Sequence, residues 1–275
     1  MTNRNVPRQS DGEGTTAPQR PTGTSAPRTI AALFLREMST SYGRNPGGWL
    51  WAFVEPIAAI ALLAFAFSLA FVAPPLGSGF ALFYATGFLP YMLFHDVSQK
   101  TAVSIRFSRN LLNFSAVTYL DAIFARFILN VLTHVLVITL VIGVLVSLSP
   151  SDAYVDFGLA GLSLTAAAAL ALGVGTLNCY LFTAFPAWER LWTIALRPLF
   201  IISGVLFLFE DVPENLQKFL QLNPLFHITG LMRDGIYPTY TPTYISPSFT
   251  FGIAAATGLF GLLLLHRFHD ELIHS

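Results

Sequence analysis

Charge is scarce in this sequence. Only 11% of its 275 residues are Asp, Glu, Lys or Arg, against roughly 25% in an ordinary soluble domain, so a water-soluble globular chain is excluded. The charge that is present cancels, with Lys+Arg 15 against Asp+Glu 15, and leaves no net field to attract nucleic acid. Cysteine occurs once, as Cys179 in an apolar run. That excludes an internal disulfide and a zinc site built on several thiolates; Cys179 reads as a small hydrophobe. No GxxxxGKS/T loop occurs, so the chain does not hold nucleotide through a P-loop. HExxH and GxSxG are missing too, and the histidines are scattered. His134 stands alone in an apolar stretch, His95 and His227 fall near the expected membrane interfaces, and His266, His269 and His274 lie at the C-terminal end. A lone intramembrane histidine is more often a hydrogen-bonded packing residue than a ligand. His266 and His269 have metal-capable spacing but lack companions, so no metal or cofactor is expected on this chain.

Long apolar runs are what the sequence has instead. No formal charge occurs between Glu55 and Asp96, between Arg126 and Asp152, or between Asp156 and Glu189, and 54% of the chain is hydrophobic. Crossing ~30 Å of hydrocarbon at ~1.5 Å per residue takes about 20 apolar residues. The first run is long enough for two crossings, divided at Pro74-Pro75-Leu76-Gly77-Ser78-Gly79, where a helix cannot continue. The predicted fold is an all-α integral membrane protein with six transmembrane helices near 49–73, 80–98, 122–148, 158–182, 190–209 and 249–266. Helices are expected because backbone groups in lipid must bond within their own segment, and the period-2 alternation of a membrane barrel is absent.

An even number of spans puts both termini on one side. All the basic residues except Lys218 and Arg233 fall on that side, while Asp152, Asp156, Glu210, Asp211, Glu214 and Asp234 lie opposite. The excess of Lys and Arg marks the cytoplasm, so both termini are expected there. Residues 1–28, rich in Pro, Thr, Gly, Ser and Arg, read as a disordered cytoplasmic tail. They lack the apolar core of a secretory signal. No internal repeat is evident.

Between the spans lie segments of mixed character. Residues 29–44 place Ile30, Leu33, Phe34 and Met38 on one helical face, with Arg36 and Arg44 elsewhere. The pattern fits an amphipathic interface helix, either one that transmits a push or a passive anchor. Trp49 and Trp51 mark the headgroup level after it. The connection from 99 to 121 carries Lys100, Arg106 and Arg109 among apolar residues. It reads as a short helix that binds anionic headgroups or docks a partner. Residues 210–248 are too apolar for an ordinary loop. Leu216, Phe219 and Leu220 make one stripe and Leu225, Ile228, Thr229 and Met232 another, separated at Asn223-Pro224. This is either a periplasmic re-entrant hairpin before the last span or a surface-lying elbow.

Two intramembrane charges stand out. Glu55 follows Trp49 by six residues and Arg197 follows Arg190 by seven, which sets both on the order of 10 Å below the cytoplasmic surface. They either pair with each other or line a polar conduit, or Arg197 snorkels to the surface. Tyr84, Phe88, Tyr91 and Phe94 crowd the second span. Aromatic rings can stack on sugar faces, although such a stripe is commonly packing or an interfacial belt.

At this point the residues carry a resemblance. Leu35-Arg36-Glu37, Tyr42-Gly43-Arg44 and Gly48-Trp49-Leu50-Trp51-Ala52-Phe53-Val54-Glu55-Pro56 resemble the start of polysaccharide-export permeases of the ABC type-2 superfamily. Phe185-Pro186-Ala187-Trp188-Glu189-Arg190-Leu191-Trp192, Arg197-Pro198-Leu199-Phe200 with Ser203-Gly204, and Asn223-Pro224-Leu225 followed by Arg233 resemble later segments of the same family. The likeness runs over residues 29–266 and is nearest the inner-membrane capsular polysaccharide exporters. It implies a transmembrane domain over 29–275, without enzymatic activity, that pairs with a second copy to form a canal in the bacterial inner membrane. Each copy would dock a separate ATP-binding subunit, where ATP and Mg are bound, through Arg36, Glu37, Arg44, Arg106 and Arg109. A lipid-linked polysaccharide would pass Glu55, Tyr84, Phe88, Tyr91 and Arg197, with Asn223, Pro224 and Arg233 at a periplasmic gate. A periplasmic adaptor and an outer-membrane export protein would continue the path. O-antigen and teichoic-acid-type glycans are alternative cargoes. A membrane enzyme acting on lipid-linked sugars is a rival, yet it would need clustered acids or an acid with a histidine at one membrane face, and the acids here are dispersed.

Overall fold

Helices dominate because apolar backbone removed from water must pair its own N–H and C=O groups. The computed structural model of the protein describes residues 30–36, 38, 48–112, 118–149 and 154–274. Among the described residues every regular element is a helix. They run in the order α1 (Gly48–Ala70), α2 (Phe80–Ala102), α3 (Ser104–Leu112), α4 (Tyr119–Ser147), α5 (Phe157–Ala184), α6 (Pro186–Ile201), α7 (Glu214–Leu220), α8 (Pro224–Ile236) and α9 (Pro247–His274). Residues 30–36 and 38, in the predicted interface helix, are helical. The predicted tail at 1–28 and the rest of 29–44 lie outside the described residues.

Among the described residues four helices are long and apolar enough to cross a membrane: Leu50–Ala70, Tyr119–Ser147, Phe157–Ala184 and Pro247–Phe268. They coincide with the first, third, fourth and sixth predicted spans. The second falls on α2, which is 23 residues long but carries His95, Asp96, Gln99 and Lys100 in its last two turns. The fifth differs most from expectation. Its helix begins at Pro186 and stops at Ile201 after 16 residues, and the chain then runs through turns to Phe209 instead of staying helical. Gly204, with φ at 75°, takes up a left-handed conformation that L side chains rarely adopt.

Helix starts follow local chemistry. Thr118 and Asp121 form a reciprocal capping box at α4, and the Asp156 carboxylate accepts from the Gly158 and Leu159 amides to open α5. Both satisfy amides that an α-helix leaves unpaired at its first turn. Helix α5 forms the centre and packs against α9, α2 and α8. The α5–α9 contact is backbone to backbone: a Cβ on Gly261 would stand 2.5 Å from the Leu177 amide nitrogen, the close approach that small residues give membrane helices. Helix α1 is the opposite case, since Leu50, Trp51, Val54, Ile57, Leu62, Phe65 and Leu69 are exposed.

The unwound stretch after α6 is held by side chains from α8 and its N-cap. Asn223 Nδ2 donates to the Ile202 carbonyl at 2.8 Å and Thr229 Oγ1 to the Ser203 carbonyl at 2.8 Å. The Arg233 guanidinium reaches the Val205 and Phe207 carbonyls, at 3.0 Å each. Arg233 is 1% exposed, and its guanidinium carbon lies 4.3 Å from the Phe83 ring centroid. A buried cation is thus compensated by two carbonyl dipoles and an aromatic face. The two stripes predicted over 210–248 are helices α7 and α8, and they differ in setting. Helix α8 is buried almost throughout, while α7 leaves Leu216 and Phe219 outward.

His227 ties α8 to the segments on either side of it. Its Nε2 sits 2.9 Å from the Gln221 carbonyl and its Nδ1 accepts from the Ser246 amide at 3.2 Å, an arrangement met by the neutral ring with its proton on Nε2. Burial pushes the His227 pKa below the ordinary histidine value, and the Gln221 carbonyl opposes that shift. The unfolded chain therefore binds the extra proton more readily. Stability from this site is present above the unfolded pKa of about 6.5 and is lost as pH falls through the lower folded value. Thermal unfolding of the purified protein should show a lower Tm near about pH 5.5 than near about pH 7.5, and His227→Gln should flatten that dependence. Arg233→Met leaves two buried carbonyls without donors and should destabilise the fold by about 2–5 kcal/mol in the same assay. Arg233→Lys, with one compact donor group in place of the planar fork, should fall in between.

Candidate functional site

Helical periodicity builds one groove from three helices. Phe88, Tyr91, Met92, His95 and Asp96 follow the i, i+3, i+4, i+7, i+8 spacing of one face of α2, and Thr193, Leu196, Arg197 and Phe200 repeat it on α6. With Glu55 of α1 they line a groove of about 440 Å³. Its aromatic wall is ordered by edge contacts: the Phe200 ring stands 5.1 Å from Tyr91 and 6.2 Å from Phe88. The Tyr91 hydroxyl donates to the Leu196 carbonyl at 3.0 Å, which pins α2 to α6.

A smaller cavity of about 170 Å³ adjoins the groove between α1, α2 and α4, with Glu55, Asp96, Lys100, Thr133 and His134 among its lining. Asp96 stands between the two spaces. One carboxylate oxygen takes His95 Nδ1 at 2.8 Å and the other takes His134 Nε2 at 3.1 Å. His134 Nδ1 lies 2.9 Å from the Asn130 carbonyl. Both ring nitrogens of His134 lie within hydrogen-bond distance of an oxygen, which ties the ring to α2 as well as to its own helix. His134 is thus a bonded packing residue, as expected of a solitary histidine in an apolar helix.

The sequence-derived candidates separate on this geometry. Glu55, Phe88, Tyr91 and Arg197 come together in the groove, and no ion pair joins Glu55 to Arg197 within the chain. Tyr84 lies away from it, in the core, with its ring 4.9 Å from Phe67 and 5.2 Å from Phe83. Arg106 donates to Glu189 at 2.8 Å, bridging α3 to the first turn of α6. Arg36 is exposed on its helical stretch. Glu37, Arg44 and the side chain of Arg109 lie outside the described residues. Asn223 caps α8 through its Oδ1, with Pro224 as the first helical residue, and Arg233 is the buried fastener described above. Sequence reasoning missed His95, Asp96 and Phe200. The spacing from Phe88 to His95 and from Arg197 to Phe200 was the available signal.

Residues 28–237 match the ABC-2 type transporter family. The chain is similar to the polysialic acid transport protein KpsM of Escherichia coli, at 27% identity over 247 residues that cover 90% of this chain and 96% of the relative. It is similar also to the capsule polysaccharide export inner-membrane protein CtrC of Neisseria meningitidis serogroup A and to BexB of Haemophilus influenzae. Each is 28% identical over 241 residues, covering 88% of this chain and 91% of the relative. Since the family match takes in most of its length, this chain belongs to the ABC-2 type transporters.

Proposed function

We propose that this chain is the permease of an ATP-driven exporter that moves a lipid-linked, capsule-type polysaccharide across the bacterial inner membrane to the periplasm. The groove between α1, α2 and α6 is the observation that carries the reading. Phe88 and Phe200, both partly exposed, offer apolar ring surface to pyranose rings, and Arg197 offers a cation to an acidic sugar in surroundings of low dielectric, where the attraction exceeds its value in water. The mixed charge of Glu55, Asp96 and Arg197 suits repeated weak contacts along a sliding polymer better than one tight site. The names of the relatives favour capsule over O-antigen or teichoic-acid-type glycans.

The groove is open on one side, and α1 and α6 leave Trp51, Val54, Leu191 and Ile194 exposed beside it. A second copy of the chain closes the conduit in this reading. Six crossings are made by α1, α2, α4, α5, α6 with its unwound extension, and α9, with both termini in the cytoplasm. An ATP-binding subunit on each copy docks against α3 and the amphipathic N-terminal segment and supplies the ATP and Mg. The α7–α8 pair forms the periplasmic gate. A periplasmic adaptor and an outer-membrane protein take over beyond it.

Export in cells tests the reading. Replacing the native gene by Arg197→Gln should cut surface display of an acidic capsule by about tenfold, the loss of one charge-assisted contact, while glycan accumulates inside. Undiminished display would remove Arg197 from the path. A second measurement separates docking from packing at α3. Arg106→Glu should reduce co-purification of the ATP-binding subunit. The double reversal Arg106→Glu/Glu189→Arg should restore the internal pair and the thermal stability without restoring that association.

A further inference from the structure

We propose that His95 is the contact in the groove that recognises sugar hydroxyls, and that Asp96, braced by His134, is the residue that positions it. The inference deepens the glycan-path reading and rests on it.

The argument begins with the proton on His95. Its Nδ1 lies 2.8 Å from Asp96 Oδ1, and an ionised carboxylate can only accept, so Nδ1 carries the hydrogen. In the neutral ring Nε2 is then a lone-pair acceptor. It has no hydrogen-bond partner among the described residues and is not buried, and the side chain is 38% exposed. Nε2 is thus accessible on a residue that lines the groove. A carboxylate behind an imidazole fixes its tautomer and ring direction.

The support for this arrangement is a chain of bonds. Asp96 is held from the other side by His134, and His134 by the Asn130 carbonyl, so the carboxylate cannot turn away from His95 without breaking a bond to α4. The ring also stacks against Tyr91, at 6.0 Å and 29° between planes. Glu55 and Arg197 face the same space from α1 and α6. The groove therefore combines an aromatic wall, a cation for acidic substituents and, beside the Glu55 carboxylate, an outward acceptor on His95. A hydroxyl on a sugar lying against Tyr91 and Phe200 is the donor that this acceptor fits. Packing against Tyr91 alone requires neither the bond to Asp96 nor the bracing from α4.

Binding of two probes to the full chain in lipid nanodiscs tests this: a uronate-containing hexasaccharide and an uncharged glucose hexasaccharide. His95→Phe keeps an aromatic ring beside Tyr91 and removes the acceptor. It should weaken both probes by about tenfold, the scale of one lost hydrogen bond. His95→Gln returns a polar group near the place of Nε2 and should stay within about threefold of the native protein. Arg197→Gln should weaken only the uronate probe. Native-like affinity of His95→Phe for both probes would overturn the inference and leave the glycan path standing, as would equal losses in His95→Phe and His95→Gln. Failure of the native chain to bind either probe would overturn the path itself and the inference with it.

Discussion

Backbone that leaves a helix inside an apolar environment has to be given hydrogen-bond donors, and the fold turns on how that demand is met after Ile201. The carbonyls of Ile202, Ser203, Val205 and Phe207 are each reached by a side chain from Asn223, Thr229 or Arg233. An unpaired carbonyl at such a place costs about 1–3 kcal/mol. The short α6, the burial of α8 and the burial of a guanidinium are parts of one solution. Each would be unfavourable alone. Together they let the chain turn from α6 toward α7 without leaving these buried peptide groups unpaired.

The same economy shapes the groove. Its walls are faces of regular helices, so the side chains stand at fixed spacing and are stiffened by neighbours: Tyr91 by the Leu196 carbonyl, Phe200 by two rings, His95 by Asp96. Its polar content is larger than Glu55 and Arg197, because Asp96 links two histidines toward the C-terminal end of α2. Helix α1, by contrast, contributes Glu55 from a position with little burial around it. The molecule joins a close-packed body, centred on α5 and α9, to a loosely attached first helix.

Much of this was legible in the residues. Runs without charge mark long helices because hydrocarbon permits little else, and the proline-glycine stretch at 74–79 separates α1 from α2 as its backbone chemistry requires. The stripes on either side of Asn223-Pro224 are α7 and α8. Other features were hidden. The end of α6 at Ile201 falls within an apolar run, where hydropathy stays high whether or not the backbone is helical. Tyr84 sits on the same periodic face as Phe88 and Tyr91, but periodicity gives a face and not what covers it; Phe67 of α1 closes over Tyr84, while the other two line the groove. Arg233 read as a charge on the far side of the membrane, and its role as a donor depends on carbonyls 26 and 28 positions earlier in the chain. His95 and Asp96 fall where a span meets its border, and composition there does not distinguish a wet end from a built site.

The bridge between Arg106 and Glu189 has a mechanical corollary. Glu189 lies two turns before Arg197 on one uninterrupted helix, roughly 12 Å along its axis. A short helix is thereby latched to the one that carries Arg197 of the groove. Displacing α3 must either break that ion pair or move α6 with it, so a shift of α3 has a direct connection to the groove wall.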